Sequence, residues 1–277
     1  SGAVFEPKTL FDLFPEDAKD CPTLKTPVAK DDLYWLTSNN KSIKIPSWLM
    51  PKSLHNKGNY IISLGELCQW ISEKAMELGV DIFPGFPAQK YLTDESGRVI
   101  GIATGDMGID KEGNQKGTYT PGMDILAKQT IFAEGARGHL GKKLIKEFNL
   151  DKGKTPQHFA IGFKEVWEVD NDKHSPGDVV HSMGWPLKGG TSGGGFLYHF
   201  DNNRIAVGLI VDLNYSNPSH SPFQEFQQFK QHPSIKQYLE SGKRVSYGAR
   251  AITKGGINSL VKMEFDGGMI VGCDAGT

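Results

Sequence analysis

The chain has 277 residues, 38% of them hydrophobic and 23% charged, with a formal net charge of -1. That is room for one large domain or two modest ones, and the charge balance gives no footing for nucleic acid. No run approaches the roughly 20 apolar residues of a membrane-spanning helix.

Cys21, Cys68 and Cys273 lie far apart, which argues for a reducing compartment and against a disulfide framework. Without Cys-x-x-Cys or His-x-x-x-His spacing, no metal site is expected within the chain. The opening residues, Ser1 to Phe5, lack the character of a signal or transit peptide and read as the cut edge of a longer chain.

Prolines keep Ile43 to Leu54 from forming a helix, so its apolar residues, Trp48 and lysines form a loop. Such a loop either folds onto its own domain or dips into a bilayer interface, with the lysines reaching lipid phosphate. Ser63 to Leu78 reads as a helix. Ser63 and Glu66 have capping-box spacing, Leu64, Leu67, Ile71, Ala75 and Leu78 share one face, and Gly79 supplies the stop.

A short extended stretch, Val80 to Phe83, leads to a hairpin of Ala88 to Thr93 and Val99 to Thr104 turning at Asp94 to Gly97. Gly105 to Gly122 is a polar excursion, and Ile125 to Ala133 reads as one buried strand running into a helix that carries Leu140, Leu144 and Phe148. Asp151 to Gln157 is the candidate boundary.

Beyond it strands dominate: Phe159 to Val169, Val179 to Met183, Phe196 to Phe200, Ile205 to Val211, Arg244 to Ala251 and Gly268 to Gly272. One helical piece, Ser221 to Leu239, interrupts them.

Four glycine-rich or apolar strings bear on function. Ala133-Glu134-Gly135-Ala136-Arg137-Gly138 joins a strand to a helix, where backbone can meet a phosphate or sugar; a tight turn explains it equally. Gly189 to Gly195 contains Gly190-x-Ser192-x-Gly194, the string of a hydrolase nucleophile elbow. An elbow needs a strand before it and a helix after it, and here Pro186 precedes and a strand follows. A backbone cradle against a flat ligand suits so many glycines better, and a flexible loop also accounts for them.

The Ile43 to Leu54 loop is the third string. In the fourth, Gly267 to Gly276, Asp274 either bonds a sugar hydroxyl or caps a helix. Cys273 has the apolar flank of an inert thiol, and His181 and His199 read as packing or hydrogen-bonding residues.

In order along the chain, a further set of strings resembles the electron-transfer flavoprotein:ubiquinone oxidoreductase family. They are Ser1-Gly2-Ala3, His55 to Tyr60, Ile131 to Gly138, Gly184 to Leu187, Gly193-Gly194 leading into Phe196 to His199, Tyr215 to Pro218, His232 to Ile235, Tyr247 to Arg250 and Gly267 to Gly272.

The resemblance implies an α/β (α+β) chain with a partial glutathione-reductase-type FAD-binding fold and a β-rich quinone or substrate lobe. Residues 1–156 with 261–277, including the membrane-facing loop 43–54, would form the partial FAD-binding domain, and 157–260 the ubiquinone domain. It also implies a monotopic enzyme on a bacterial cytoplasmic or mitochondrial inner membrane. Such an enzyme passes electrons from electron-transfer flavoprotein through FAD to ubiquinone.

Ala133, Glu134, Gly135, Gly138, Gly272, Asp274, Ala275 and Gly276 would lie along FAD, with Arg250 and Thr253 facing its ring. Gly193 and Gly194 would meet the quinone, and Ile45, Trp48, Leu49 and Met50 the membrane. No catalytic acid–base residue is implied, because the cofactor does the redox work.

The family's amino-terminal Gly-x-Gly-x-x-Gly and its cysteines for a four-iron–four-sulfur cluster have no counterpart in the sequence. The cluster thus belongs only to a full-length parent, and the chain alone is expected to bind FAD weakly or not at all. Two other readings use the same residues: an FAD-dependent monooxygenase or prenyl reductase of the same fold, and a non-catalytic fragment or interaction module.

Overall fold

The computed structural model describes residues 2–277, so Ser1, which opens the first of the family-like strings, lies outside the described residues. In chain order the strands are β1 (Gly2–Phe5), β2 (Thr26–Pro27), β3 (Lys30–Leu36), β4 (Ser42–Ile45), β5 (Tyr60–Ser63) and β6 (Ala88–Thr93). There follow β7 (Val99–Thr104), β8 (Met107–Ile109), β9 (Gln115–Thr120), β10 (Asp124–Leu126), β11 (Thr130–Phe132) and β12 (Phe159–Glu168). The last six are β13 (Asp178–Gly184), β14 (Gly193–Phe200), β15 (Arg204–Asp212), β16 (Lys243–Thr253), β17 (Glu264–Phe265) and β18 (Gly268–Ile270). The α-helices are α1 (Lys8–Leu13), α2 (Leu64–Glu77), α3 (His139–Glu147), α4 (Pro222–Gln231) and α5 (Pro233–Leu239).

Two compact units emerge: Ser1–Asp81 with Ala160–Arg250, and Ile82–Phe159 with Ala251–Thr277. The chain passes between the units after Asp81, Phe159 and Arg250. Residues 1–81, expected with the FAD-binding part, instead pack with 160–250. The cause is hydrogen bonding: β3 pairs in parallel with β13 from Lys30 opposite Asp178 to Leu36 opposite Gly184. That pairing commits the amino-terminal segment to a seven-stranded sheet ordered β16-β12-β15-β14-β13-β3-β4.

Strand pleating puts alternate residues on opposite faces of this sheet. One face is covered by α4 and α5, where Phe226, Phe229, Ile235 and Leu239 pack on Leu36, Val180, Leu197, Val207 and Leu209. The helix expected over Ser221 to Leu239 is two helices. His232 leaves helical geometry ahead of Pro233, as a residue before proline tends to do, and α5 restarts from it. On the other face Val166, Val179, Phe196, Tyr198 and Ala206 pack with Ile61, Val4 and Val28, which belong to the small β1-β5-β2 sheet and its edge.

A buried charge cluster ties α4 to the sheet. Lys230 Nζ donates to both carboxylate oxygens of Glu165, at 3.0 and 2.9 Å, while Trp167 Nε1 and Arg244 complete the acceptor's partners. His199 is fully buried and accepts from Ser175 N at 3.1 Å; burial drives its pKa down to about 3, so it packs as a neutral ring.

In the second unit the hairpin of β6 and β7 forms as its alternation implies, and the polar excursion is a second hairpin, β8 with β9. The stretch expected as one buried strand is two. β10 pairs antiparallel with β7 and is exposed throughout, whereas β11 pairs in parallel with β18, so the chain must bend between two sheets. No strand forms over Val80 to Phe83. Val99, Phe132, Leu140, Leu144, Leu150 and Ile270 make this unit's core.

Lys230→Met leaves Glu165 buried with only part of its counter-charge. It is expected to destabilise the chain by about 3 kcal/mol in chemical denaturation, the scale for breaking a buried pair from one side.

Candidate functional site

The sheet register assembles a surface that no single strand reveals. Gly162 stands opposite Ile210, Ile210 opposite Gly194, Met183 opposite Trp35, and Trp35 opposite Ile43. Continuing the β13–β14 register past Ser182 opposite Gly195 sets Met183 beside Gly194. Six neighbouring strands therefore present one apolar row on the face away from α4, with Trp35 48% and Ile43 59% exposed at its outer end. At Gly194 a Cβ would meet nothing but the Ser182 carbonyl oxygen, at 2.8 Å, so no side chain stands over that backbone.

The flanking glycines have packing reasons. A Cβ at Gly195 would lie 2.3 Å from the Phe229 ring, and one at Gly193 2.1 Å from the Ile210 carbonyl oxygen. The Gly-x-Ser-x-Gly string is not an elbow, because Ser192 lies immediately before β14 rather than between a strand and a helix.

The adjoining row carries Lys164, Gly208, Phe196, His181, Leu33 and Ile45 in register. His181 Nε2 and the Tyr198 hydroxyl share a hydrogen bond of 2.9 Å, and His181 Nδ1 lies 3.8 Å from Asp31 Oδ1. Burial lowers the His181 pKa, an effect that Asp31 opposes. Asp31 Oδ2 accepts from the backbone and side-chain nitrogens of Asn56, at 3.0 and 2.9 Å. Sequence reasoning missed Trp35, Met183 and Ile210 as members of this surface. For Trp35 the available signal was the apolar run Leu33 to Leu36.

Of the four residues expected at a membrane, Trp48 and Leu49 face outward at 79% and 57% exposure on a short 3-10 helix, Ser47–Leu49. Ile45 is half-buried at the end of β4, and Met50 turns inward at 7%. Ile45 belongs to β4, Trp48 and Leu49 to the 3-10 turn, and Met50 follows it in extended backbone, so the four side chains leave in different directions.

In the second unit the parallel pair β11 and β18 ends side by side, with Val271 N donating to Phe132 O at 2.9 Å. The strings expected along FAD meet there. Glu134 N donates to Asp274 Oδ2 at 3.3 Å. Gly138 and Gly141 make room for that carboxylate, since a Cβ on either would lie 2.7 Å or 2.2 Å from Asp274 Oδ1.

Glu134 Oε2 accepts from Leu140 N and Gly141 N at 2.9 and 2.8 Å, and its Oε1 lies 3.0 Å from His139 Nδ1. The start of α3 is thus capped by the protein's own carboxylate rather than offered to a phosphate.

Ala275, Gly276 and Thr277 continue toward the Thr253 hydroxyl, which donates to Thr277 O at 3.4 Å. Gln157 lies against Gly276 and accepts from Gly255 N at 2.6 Å. Gly135, at φ 87°, and Gly272, at φ 64°, have open space where a side chain would stand. Gly135, Asp274, Gly276 and Thr253 thus share one end of the unit, while Arg250 lies exposed on β16 in the first unit.

The open glycines and paired strand ends fit the flat ring and sugar-like chain of a flavin. The loop that would cradle a pyrophosphate has no counterpart in the chain. Cys21, Cys68 and Cys273 are all free thiols, and among the described residues no group of three His, Cys, Asp or Glu side chains is gathered as a metal site. The donor set does not fit an iron–sulfur cluster.

Burial, and to a lesser degree the Glu134 charge, raise the Asp274 pKa above the ordinary aspartate value of 3.8. Its ionisation therefore costs stability, a cost absent below the unfolded value and complete once pH has risen through the raised folded one. Asp274→Asn is expected to shrink the drop in thermal stability between about pH 4 and pH 7, measured by unfolding at both values.

Residues 159–252 match a family model described as ETF-QO, ubiquinone-binding. Over its whole length the chain is 59% identical to an electron transfer flavoprotein-ubiquinone oxidoreductase of Pseudomonas aeruginosa, covering 50% of that protein. It is 46% identical to the mitochondrial protein of that name from Homo sapiens, covering 45% of it. The chain thus spans about half the length of the curated relatives it matches.

Among solved structures it resembles a geranylgeranyl bacteriochlorophyll reductase-like protein from Thermoplasma acidophilum, with 16% identity and a TM-score of 0.67 over 99% of this chain and 60% of that one. It also resembles aklavinone-11 hydroxylase in complex with FAD and aklavinone, with 12% identity and a TM-score of 0.61 over 99% of this chain and 50% of that one. These likenesses bear out the expected flavoprotein fold. Along its full length the chain is similar in sequence to electron transfer flavoprotein-ubiquinone oxidoreductases, and residues 159–252 carry the match to the ubiquinone-binding family model.

Proposed function

We propose that this chain supplies the quinone-binding face and part of the flavin-binding face of an enzyme that moves electrons from reduced electron transfer flavoprotein through FAD to ubiquinone. The observation that carries the reading is the apolar row centred on Gly194, within the segment that matches the ubiquinone-binding family model. A quinone headgroup is flat and carries carbonyl acceptors. Backbone without a side chain lets such a ring lie close, and Met183 and Ile210 on either side would exclude water from it.

FAD, when bound, supplies the redox chemistry by accepting and releasing electrons. The chain's own residues orient it. The open backbone at Gly135 and Gly272 would receive its flat and sugar-like parts, Asp274 would accept from a ribityl hydroxyl, and the Thr253 hydroxyl would bond the ring edge. His181, in the row next to Gly194, would hold a proton between Tyr198 and Asp31. No step is assigned to an iron–sulfur cluster within this chain.

Trp48 and Leu49 would seat the protein on a membrane surface, the indole lying among headgroups and lysines reaching phosphates. No helix among the described residues is long and apolar enough to cross a membrane. A flavin monooxygenase or prenyl reductase would use the same fold but would need reduced nicotinamide. A quinone site instead makes the Gly194 row the place where substrate binds.

Titration of the isotope-labelled chain with a short-chain ubiquinone is expected to shift the amide signals of Met183, Gly193, Gly194 and Phe196 selectively. Added FAD is expected to perturb Gly135 and Gly276 only weakly. Quinone-induced shifts that avoid the Gly194 row would remove the basis for the reading.

A further inference from the structure

A cavity of about 700 Å³ lies in the first unit, within the range of small-molecule sites. Thr37, Ser38 and Asn39, in the turn between β3 and β4, form one wall. Gln228 and Gln231 on α4 form another, and Trp185 and Lys188, on the connection from β13 to β14, close it. The site is braced from below, where His232 bonds the Lys41 carbonyl at 3.4 Å and its ring lies 5.6 Å from that of Trp185. Trp185 belongs to the Gly184 to Leu187 string, but none of the residues expected along FAD or against the quinone lines the cavity.

The chemistry of the lining is one-sided. It offers an ammonium, three side-chain amides, two hydroxyls and an indole face, and no carboxylate. The surrounding sequence shares the bias. Residues 33–65 contain Lys41, Lys44, Lys52 and Lys57 without an aspartate or glutamate, and residues 179–200 contain Lys188 with no acid.

Of the carboxylates on neighbouring elements, Asp32 pairs with Lys30 and Lys44 and Glu165 with Lys230 and Arg244, while Glu225, one turn before Gln228 on α4, lies 3.5 Å from His220. The carbonyl end of α4 opposes an anion along the helix axis. The amide donors and Lys188 meet an anion directly, at shorter range.

The same hairpin says what the anion is attached to. β4, which leaves this turn, leads to the exposed Trp48 and Leu49, while Trp35 and Ile43 lie on the sheet face away from α4. A free phosphate ester needs no exposed apolar residues on the segment that follows, whereas an amphiphile does.

We propose that this cavity binds the phosphodiester headgroup of an anionic phospholipid, with Lys188 on the phosphate and Asn39, Gln228 and Gln231 bonding its remaining oxygens and hydroxyls. The lipid source rests on the reading of Trp48 and Leu49 as a membrane contact; the phosphate-ester chemistry does not.

The test titrates the full chain with dihexanoyl-phosphatidylglycerol below its micelle concentration, with the phosphatidylcholine analogue and sn-glycerol 3-phosphate as separate arms, following the side-chain amide and indole NMR signals. Sedimentation with phosphatidylcholine vesicles, with and without phosphatidylglycerol, runs in parallel. The phosphatidylglycerol probe is expected to shift Asn39, Gln228, Gln231 and Trp185. Lys188→Gln and Gln228→Leu should each weaken it at least about tenfold, as for one lost charge-assisted or buried hydrogen bond. Backbone spectra should stay otherwise unchanged.

Gln228→Leu leaves the charge intact, so undiminished binding in that variant would show bulk electrostatics and overturn the proposal. Equal affinity for sn-glycerol 3-phosphate would overturn the lipid source. Vesicle binding with no preference for phosphatidylglycerol and no shifts in the cavity would leave the membrane contact standing and sink the pocket. Failure to bind any vesicle, with the short-chain lipid still shifting the cavity signals, would support the pocket and count against the membrane contact.

Discussion

The parallel pairing of β3 with β13 is the constraint on which the rest of the first unit depends. It brings residues 30–36 against residues 178–184, nearly 150 positions later, and no local turn can enforce that. With the pairing in place, Trp35 and Ile43 extend the row through Gly194, Asp31 comes beside His181, and the Thr37–Asn39 turn reaches α4. A register slip of one residue would turn Trp35 to the opposite face and break the row.

Glycine serves two physical ends in this chain. At Gly195, Gly138 and Gly141 a neighbour fills the place of the missing side chain: an aromatic ring at the first, the Glu134 side chain with the Asp274 carboxylate at the second, and that carboxylate at the third. At Gly194, Gly135 and Gly272 no side chain fills the space, which is the arrangement a flat ligand requires. The same residue type thus marks packing at some positions and access at others. Only the identity of the nearest atoms separates the two.

Charge is likewise divided between structure and recognition. Glu165 and Lys230 are buried together and hold a helix on the sheet, while Glu134 caps α3. In the β3–β4 hairpin Lys30 and Lys44 share Asp32, while Lys41, Lys52 and Lys57 lie in residues 33–65, which hold no aspartate or glutamate.

Periodicity and capping by themselves determined much of the local structure. α2, with Ser63 accepting from Glu66 N, the β6–β7 hairpin and the strands of the β-rich lobe all form where alternation and turn residues place them. The ordered strings also pointed to the relatives that the full-length comparison finds, since short strings can be matched without any knowledge of contacts.

Tertiary structure alone decided which unit claims residues 1–81, that Ile125 to Ala133 divides between two sheets, and that Met50 faces inward while Trp48 faces out. It also decided that Glu134 is spent on its own helix. Each of these depends on hydrogen bonds or packing between segments far apart in the chain, for which local propensity carries no information.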